Sequence, residues 1–383
     1  MQISSLGNLQ IDKFLSEYWQ KKPLLIRNAL ENFESPIQAD ELAGLACEEQ
    51  VESRIIFNQD NNWQLNHGPF EENYFSSLPA SNWTLLVQAV DHWSSKAAHF
   101  LQQFKFIPSW RIDDLMVSYA TQGGGVGPHF DQYDVFLVQS KGQRQWEVGD
   151  VCDESTELIK DAPVSIISHF QAKETWVLNP GDILYVPPGF AHNGTAVSDD
   201  CITCSVGFRA PSHSEILREF TDHIGESLSE TLRYEDQNLE AQAHSGEIST
   251  QTINKIQNIL KNYSEDKQLI TEWFGKYAST PKYREAHEPL NDRYSMDQLT
   301  AYLKSDKPLI KNESSRFAFI NNEPNHYLFI DGNCMDSHKA SNALIEQLCD
   351  NNEIRLNDFP NNETNLELLL TLVNMGSLYL VEK

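Results

Sequence analysis

The sequence predicts an α+β protein with a β-rich core, a helical middle and a small winged-helix-like end. Three observations predict it. Between residues 115 and 210, short apolar or alternating runs are punctuated by Gly, Pro, Asn and Asp, the pattern of an all-β sandwich or barrel. From Pro211 onward the apolar residues fall at helical spacing. After residue 296, short helical patterns alternate with hairpin-like runs.

In chain order, an amphipathic stretch from Ile11 to Trp19 leads through a turn at Pro23 into a first strand, Leu24-Leu25-Ile26. Strand-like runs follow at Arg54 to Phe57 and Trp63 to Leu65, then a helical pattern from Trp83 through Phe100. Within the β-rich region strands are expected at 115–120, 133–139, 143–148, 175–179, 183–187 and 201–208. Lys141-Gly142 and Pro180-Gly181-Asp182 supply tight turns. Ser212 and Glu215 have capping-box spacing, and Ile216, Leu217, Phe220, Ile224 and Leu228 share one face of the helix they begin. Helical patterns recur to about residue 278, broken by a polar stretch near 234–247, and a charged linker follows Pro281. Beyond it, helices are expected at Met296 to Leu303, Ser341 to Cys349 and Asn365 to Met375, with hairpin-like runs at Phe317 to Ile320, Tyr327 to Ile330 and Leu378 to Val381. The expected domains are 1–210, 211–295 and 296–383.

Composition narrows the function classes. At 383 residues with 40% hydrophobic content, the chain is long enough for two or three cores. Its formal charge of -26, from 55 acidic against 29 basic residues, repels a polyanion and steers a cationic polypeptide toward the surface. Nucleic acid is therefore not an expected partner. The first residues carry no basic and apolar export pattern, and no apolar run reaches membrane-spanning length. Six scattered cysteines (47, 152, 201, 204, 334, 349) fit reduced thiols, so a soluble cytoplasmic protein is expected.

The chemistry concentrates at residues 123–134, where His129 and Asp131 stand two positions apart after a glycine run. If this stretch is extended, a side-chain period of two points both to one face, where an imidazole nitrogen and a carboxylate oxygen can meet one cation. His192, 63 residues after His129, follows a rigid Pro-Gly-Asp…Pro-Pro-Gly bend that can return it across the barrel to the same face. Two histidines and one carboxylate on one face of a metal leave three positions open, the facial triad of non-haem Fe(II) oxygenases. Arg144 shares a period-two face with Trp146 and Val148, which turns its guanidinium inward. A buried guanidinium needs an anion: either a protein carboxylate or the distal carboxylate of a dicarboxylic co-substrate. The glycine run lacks the Gly-Lys-Ser/Thr ending of a phosphate loop and reads as backbone that passes close to a substrate. Cys201 and Cys204, three apart on one strand, face opposite ways and are expected to pack. Trp83, Trp93 and Trp110 read as packing residues.

With these residues in place the chain resembles the JmjC-domain, cupin-fold 2-oxoglutarate oxygenases, specifically the bacterial ribosomal oxygenases that hydroxylate an arginine of large-subunit ribosomal protein sixteen. The resemblance covers nearly the whole chain. It is carried by Tyr18 to Ile26, His67-Gly68-Pro69-Phe70, Ile112 to Ser118, Gly123 to Phe136, Pro180 to His192 and Ser205 to Pro211. It implies a double-stranded β-helix (cupin or jelly-roll, JmjC) catalytic domain, a helical region that forms a homodimer, and a C-terminal winged helix. It implies Fe(II) on His129, Asp131 and His192, with 2-oxoglutarate as co-substrate on Arg144. Ser118 matches a ligand-contacting position of the family, whereas Ala120 stands where relatives are expected to carry serine. The implied partner is a basic ribosomal protein, with Tyr133 and Asp134 as substrate contacts. Histidyl hydroxylation, lysyl or arginyl demethylation by the same iron chemistry, and a non-catalytic metal-binding scaffold are the alternatives.

Overall fold

The computed structural model describes residues 5–30, 33–59, 62–237, 239–283, 293–322, 325–336 and 340–381. Most of the charged linker expected after Pro281, residues 284–292, lies outside the described residues. The chain divides into two compact units. The first comprises Met1–Ala210 with Lys282–His287 and Asn312–Ser314; the second comprises Pro211–Pro281, Glu288–Lys311 and Ser315–Lys383.

Eleven strands build the first unit's two main sheets: β1 (Leu24–Ile26), β2 (Ser53–Gln59), β3 (Asn62–His67), β4 (Trp83–Val87), β5 (Ile112–Ala120), β6 (Val135–Lys141), β7 (Arg144–Val151), β8 (Glu174–Leu178), β9 (Ile183–Val186), β10 (Phe190–Ala196) and β11 (Cys201–Phe208). The large sheet runs β1-β9-β6-β11-β5-β4-β2-β3 and the small one β8-β7-β10, with antiparallel neighbours throughout. The two sheets face each other without closing into one hydrogen-bonded barrel, which refines the barrel expectation. Val135, Leu137, Leu184 and Val186 of the large sheet pack with Trp146, Val148 and Leu178 of the small one.

The opposite face of the large sheet carries the main core. Helix α1 (Ile11–Glu17) places Phe14 against Phe136 and Tyr185, with ring centroids 5.4 and 4.9 Å apart. Each ring is fully buried, worth on the order of 2–3 kcal/mol. Alternation along β6 and β9 thus feeds two cores, one on each face, and β11 is buried at all eight positions. Cys204 points into the main core while Cys201 packs on the other face with Ala120 and Ala196; both thiols are free.

Two local expectations change. Residues 83–100 are not one helix: Trp83–Val87 is strand β4, Ala89 turns the chain at φ 48°, and the helix begins only at α2 (Ser95–Leu101). All five β4 residues are buried between β2 and β5, so the run does not alternate and its periodicity does not separate strand from helix. Phe190–Ala196, after Pro187-Pro188-Gly189, was not among the expected strands, yet it forms β10 against β7.

In the second unit, Ser212 caps α3 (His213–Ser227) by accepting from the Glu215 amide at 3.0 Å. Helices α4 (Thr250–Ser264) and α5 (Lys267–Ser279) follow. The last segment has helices at Met296–Leu303, Asn342–Asp350 and Glu363–Asn374, and three-stranded sheets built on Leu309–Lys311 and on the Phe317–Asn322/Asn325–Ile330 hairpin. Leu299, Leu344, Leu348, Leu369 and Leu372 form its core. Among the described residues no helix is long and apolar enough to cross a membrane.

Candidate metal centre and co-substrate pocket

The loop between β5 and β6 reaches β10 through close backbone contacts. The Gly123 amide donates to Ala196 O at 2.8 Å, and the Ala196 amide donates back to Gly124 O at 2.9 Å. A Cβ on Gly124 would stand 2.2 Å from Trp83 O, and one on Gly125 2.5 Å from Gly194 O. The glycine run is therefore set by neighbouring strands of the protein itself, which corrects the expectation of a substrate-facing backbone. Gly127 turns the chain at φ 85°, and the following residues bring His129 to β10.

His129 and His192 then lock together. Each donates its amide to the other's carbonyl, at 3.0 Å from His129 and 2.8 Å from His192, forming an isolated bridge. The His-x-Asp pair thus lies on a loop tied to β10 rather than on a strand of its own. The Asp131 carbonyl accepts from the Gly189 amide at 2.7 Å, which fixes the third member.

The histidines are also oriented. His129 Nδ1 lies 2.8 Å from Gly127 O and His192 Nδ1 lies 3.0 Å from Phe190 O. A carbonyl only accepts, so each Nδ1 carries a proton, and Nε2 is the nitrogen left for a metal. Asp131 Oδ2 stands 4.0 Å from His129 Nε2 and 3.6 Å from His192 Nε2. The three residues offer ligand atoms that all lie within 4.8 Å of one another. Ligands about 2.1 Å from an ion stand roughly 3 Å apart when adjacent, so small side-chain movements close this set on a cation. Burial, and then the neighbouring His129, lower the His192 pKa to about 4 against the opposing pull of Asp131, so this imidazole is neutral at pH 7.

Arg144 opens β7 with its side chain on the inner face beside Trp146 and Val148. It is 3% exposed, and neither Nε nor Nη2 has a hydrogen-bond partner among the described residues. Its guanidinium carbon lies 5.7 Å from the Trp146 ring centroid, a contact that satisfies no N–H donor. The Trp146 ring in turn stands 5.9 Å from that of His192 and lies over Gly194, where a Cβ would come within 2.6 Å of it. Trp146 therefore bridges the histidine and the arginine as an apolar wall. Ser118, in register with Thr203 on β11, is buried on the inner face, and its Oγ reaches only a long 3.5 Å contact to Thr203 O.

The two residues next to the triad part ways. Tyr133 is 43% exposed; desolvation of its hydroxyl, then the Asp131 charge, raises its pKa. Asp134 faces the opposite way and is 0% exposed. Its carboxylate accepts from Tyr185 Oη at 2.6 Å and Gln20 Nε2 at 2.9 Å, and pairs with Arg111 Nη2 at 3.3 Å. Asp134 is a tie between the sheet and the N-terminal segment, which corrects its expected role as a substrate contact.

Asp114 was missed. Counting back by twos from Ser118 puts it on the same inner face, a signal the sequence offered. A Cβ built on Gly207 would stand 3.8 Å from Asp114 Oδ1 and 3.9 Å from Tyr133 Cε2, so these two side chains flank one open spot.

Comparison with known proteins agrees with this architecture. Residues 99–216 match the JmjC domain model and residues 257–379 the ROXA-like winged helix model. The chain is 36% identical over 368 residues to the ribosomal protein uL16 3-hydroxylase of Escherichia coli strain K12, covering 95% of each protein. It is 30% identical over 381 residues to a probable ribosomal oxygenase of Haemophilus influenzae, covering 93% of this chain and 92% of the relative. The solved structure of the E. coli ribosomal oxygenase YcfD with cobalt and 2-oxoglutarate superimposes with a TM-score of 0.88 at 34% identity, over 98% of this chain and 99% of that one. A second YcfD structure, with cobalt and succinic acid, gives 0.86 over the same shares. Domain composition, full-length identity and superposition together place this chain in the family of JmjC-domain bacterial ribosomal oxygenases.

Proposed function

We propose that this protein is an Fe(II)- and 2-oxoglutarate-dependent protein hydroxylase acting on ribosomal protein uL16, at the 3-position of an arginine. The observation that carries the chemistry is Arg144: a buried guanidinium with two unpartnered nitrogens, on the strand that pairs with the one bearing His192. A non-catalytic scaffold has no physical need for such a residue, because an unpaired buried charge costs several kcal/mol. The substrate assignment rests on the full-length relationship to the uL16 3-hydroxylase.

The residues fit an iron ion. His129 and His192 supply Nε2 donors and Asp131 a carboxylate, the donor set suited to Fe(II) with open positions. With 2-oxoglutarate and O2, the metal supplies the oxidation that converts a substrate C–H to C–OH and releases succinate and CO2. Arg144 binds the distal carboxylate through paired charge-assisted hydrogen bonds, and Ser118 Oγ can add one by giving up its long 3.5 Å bond to Thr203 O. Trp146 walls the space between anchor and metal and excludes water from it. Beside Gly207, Asp114 Oδ1 and the Tyr133 ring receive a cationic side chain by charge and by cation–π contact. That acidic reception favours an arginine over a histidine side chain. Incubation of the protein with Fe(II), 2-oxoglutarate and uL16 is expected to release one succinate for each oxygen gained by uL16; succinate formation indifferent to uL16 would overturn the substrate assignment.

The expected three-part division at 210 and 295 is retained here as a functional one: catalytic, dimerising and winged-helix regions. On α4, Ile253, Ile256, Ile259 and Leu260 are all at least 42% exposed, an apolar stripe that a second copy of the chain covers in this reading. Replacing Ile256 and Leu260 with Glu is expected to shift the particle from dimer to monomer in light scattering, and a monomeric unaltered protein would refute it. A cytoplasmic location follows from a ribosomal substrate and six unpaired thiols.

A further inference from the structure

The chain leaves the first unit after Ala210 and returns to it at Lys282. There Lys282 Nζ donates at 2.9 Å to Asp113 Oδ2 and at 2.9 Å to Asp114 Oδ2. The next residue, Tyr283, donates its hydroxyl to Glu52 at 2.8 Å and sets its ring edge-on to His92 with centroids 5.9 Å apart. Two consecutive residues from a segment 168 positions away in sequence are thus strapped onto the start of β5 and its neighbours.

What the strap does to Asp114 is specific. Asp114 Oδ2 also accepts from Gln88 Nε2 at 2.7 Å and from the Ala89 amide at 3.1 Å. Three donors converge on one oxygen, and no hydrogen bond to a described residue falls on the other. Because a carboxylate is planar, holding Oδ2 fixes where Oδ1 points, and Oδ1 is the oxygen that looks toward Gly207 and Tyr133. The Asp114 side chain is only 4% exposed, so it needs a countercharge, and Lys282 supplies it at Oδ2, the oxygen that does not look toward Gly207 and Tyr133. Arg209, 3.6 Å from Asp113 Oδ1, supports the companion carboxylate.

We propose that Lys282 is a positioning residue for substrate recognition: by holding Asp114 Oδ2 it presents Oδ1 as a preset acceptor for the substrate's cationic side chain. The inference rests on the reading of the substrate as a basic side chain. It assigns Lys282 no contact with the metal, the co-substrate or the substrate. Preset acceptors bind better because the cost of ordering them is met during folding.

The test uses the full-length protein with Fe(II), 2-oxoglutarate and a basic uL16 peptide, comparing Lys282→Gln and Lys282→Arg. Lys282→Gln is expected to raise the KM for the peptide about tenfold, the scale of one charge-assisted hydrogen bond, while the KM for 2-oxoglutarate stays within about twofold. Lys282→Arg, which restores both charge and donors, is expected to recover most of the loss. Thermal midpoints of both variants separate this from a folding defect. An unchanged peptide KM in a folded Lys282→Gln protein, a parallel rise in both KM values, or no recovery with arginine would each overturn the assignment. Failure of the unaltered protein to couple 2-oxoglutarate to the peptide would instead refute the underlying functional reading.

Discussion

Replacing His129 with Ala is expected to abolish turnover while leaving the fold in place. The side chain is 24% exposed, and its ring contacts are a backbone carbonyl, Asp131 and His192, so no apolar core collapses when it is removed. The bridge to His192 is made by backbone and survives. What disappears is one of three ligand atoms. Loss of an outer partner alone typically weakens a metal site about 10- to 100-fold, so loss of a ligand is expected to cost on the order of a thousandfold or more in turnover. Metal titration with a thermal melt checks both halves: weak binding with an unaltered midpoint in the absence of metal. Turnover near that of the unaltered protein would remove His129 from the centre.

Arg144→Met carries the second large effect, and its sign differs between stability and activity. The guanidinium is buried, and two of its nitrogens lack partners, so folding desolvates them without return. Methionine fills similar volume against Trp146 and Val148 without that cost. The ligand-free variant is therefore expected to gain about 1–3 kcal/mol of stability, measured by denaturant unfolding. The same change removes the anchor for the distal carboxylate and is expected to raise the KM for 2-oxoglutarate on the order of a hundredfold, the value of two charge-assisted hydrogen bonds. Addition of 2-oxoglutarate then stabilises the unaltered protein and not the variant. A ligand-free Arg144→Met protein that is less stable than the parent would mean that the guanidinium has a partner in the protein.

Both effects start from features legible in the sequence, and the reasons differ. Arg144 was readable because β7 alternates buried Arg144, Trp146 and Val148 with half-buried Gln145 and Glu147, so the period of two sufficed. The α3 cap was readable because Ser212 and Glu215 act within one turn. The metal triad was legible as composition, but its support was not: His129 and Asp131 sit on a loop, and their alignment comes from backbone pairing with β10. That strand itself was hidden, since Pro187-Pro188-Gly189 reads as a bend, and its Gly194 serves to admit the Trp146 ring. Asp134 shows the limit of adjacency. It lies beside Tyr133 in sequence, but a step of one along an extended chain moves a side chain to the other face, here into a cage of Tyr185, Gln20 and Arg111. No local pattern announces those three partners, which come from 51, 114 and 23 positions away respectively.

The most direct measurement is tandem mass spectrometry of uL16 after incubation with the protein, Fe(II) and 2-oxoglutarate. One added oxygen localised to the side chain of a single arginine is the expected result, absent with His129→Ala and restored in Arg144→Met only at high 2-oxoglutarate. Unmodified arginine from a protein that binds metal and 2-oxoglutarate, or oxygen on a histidine instead, would contradict it.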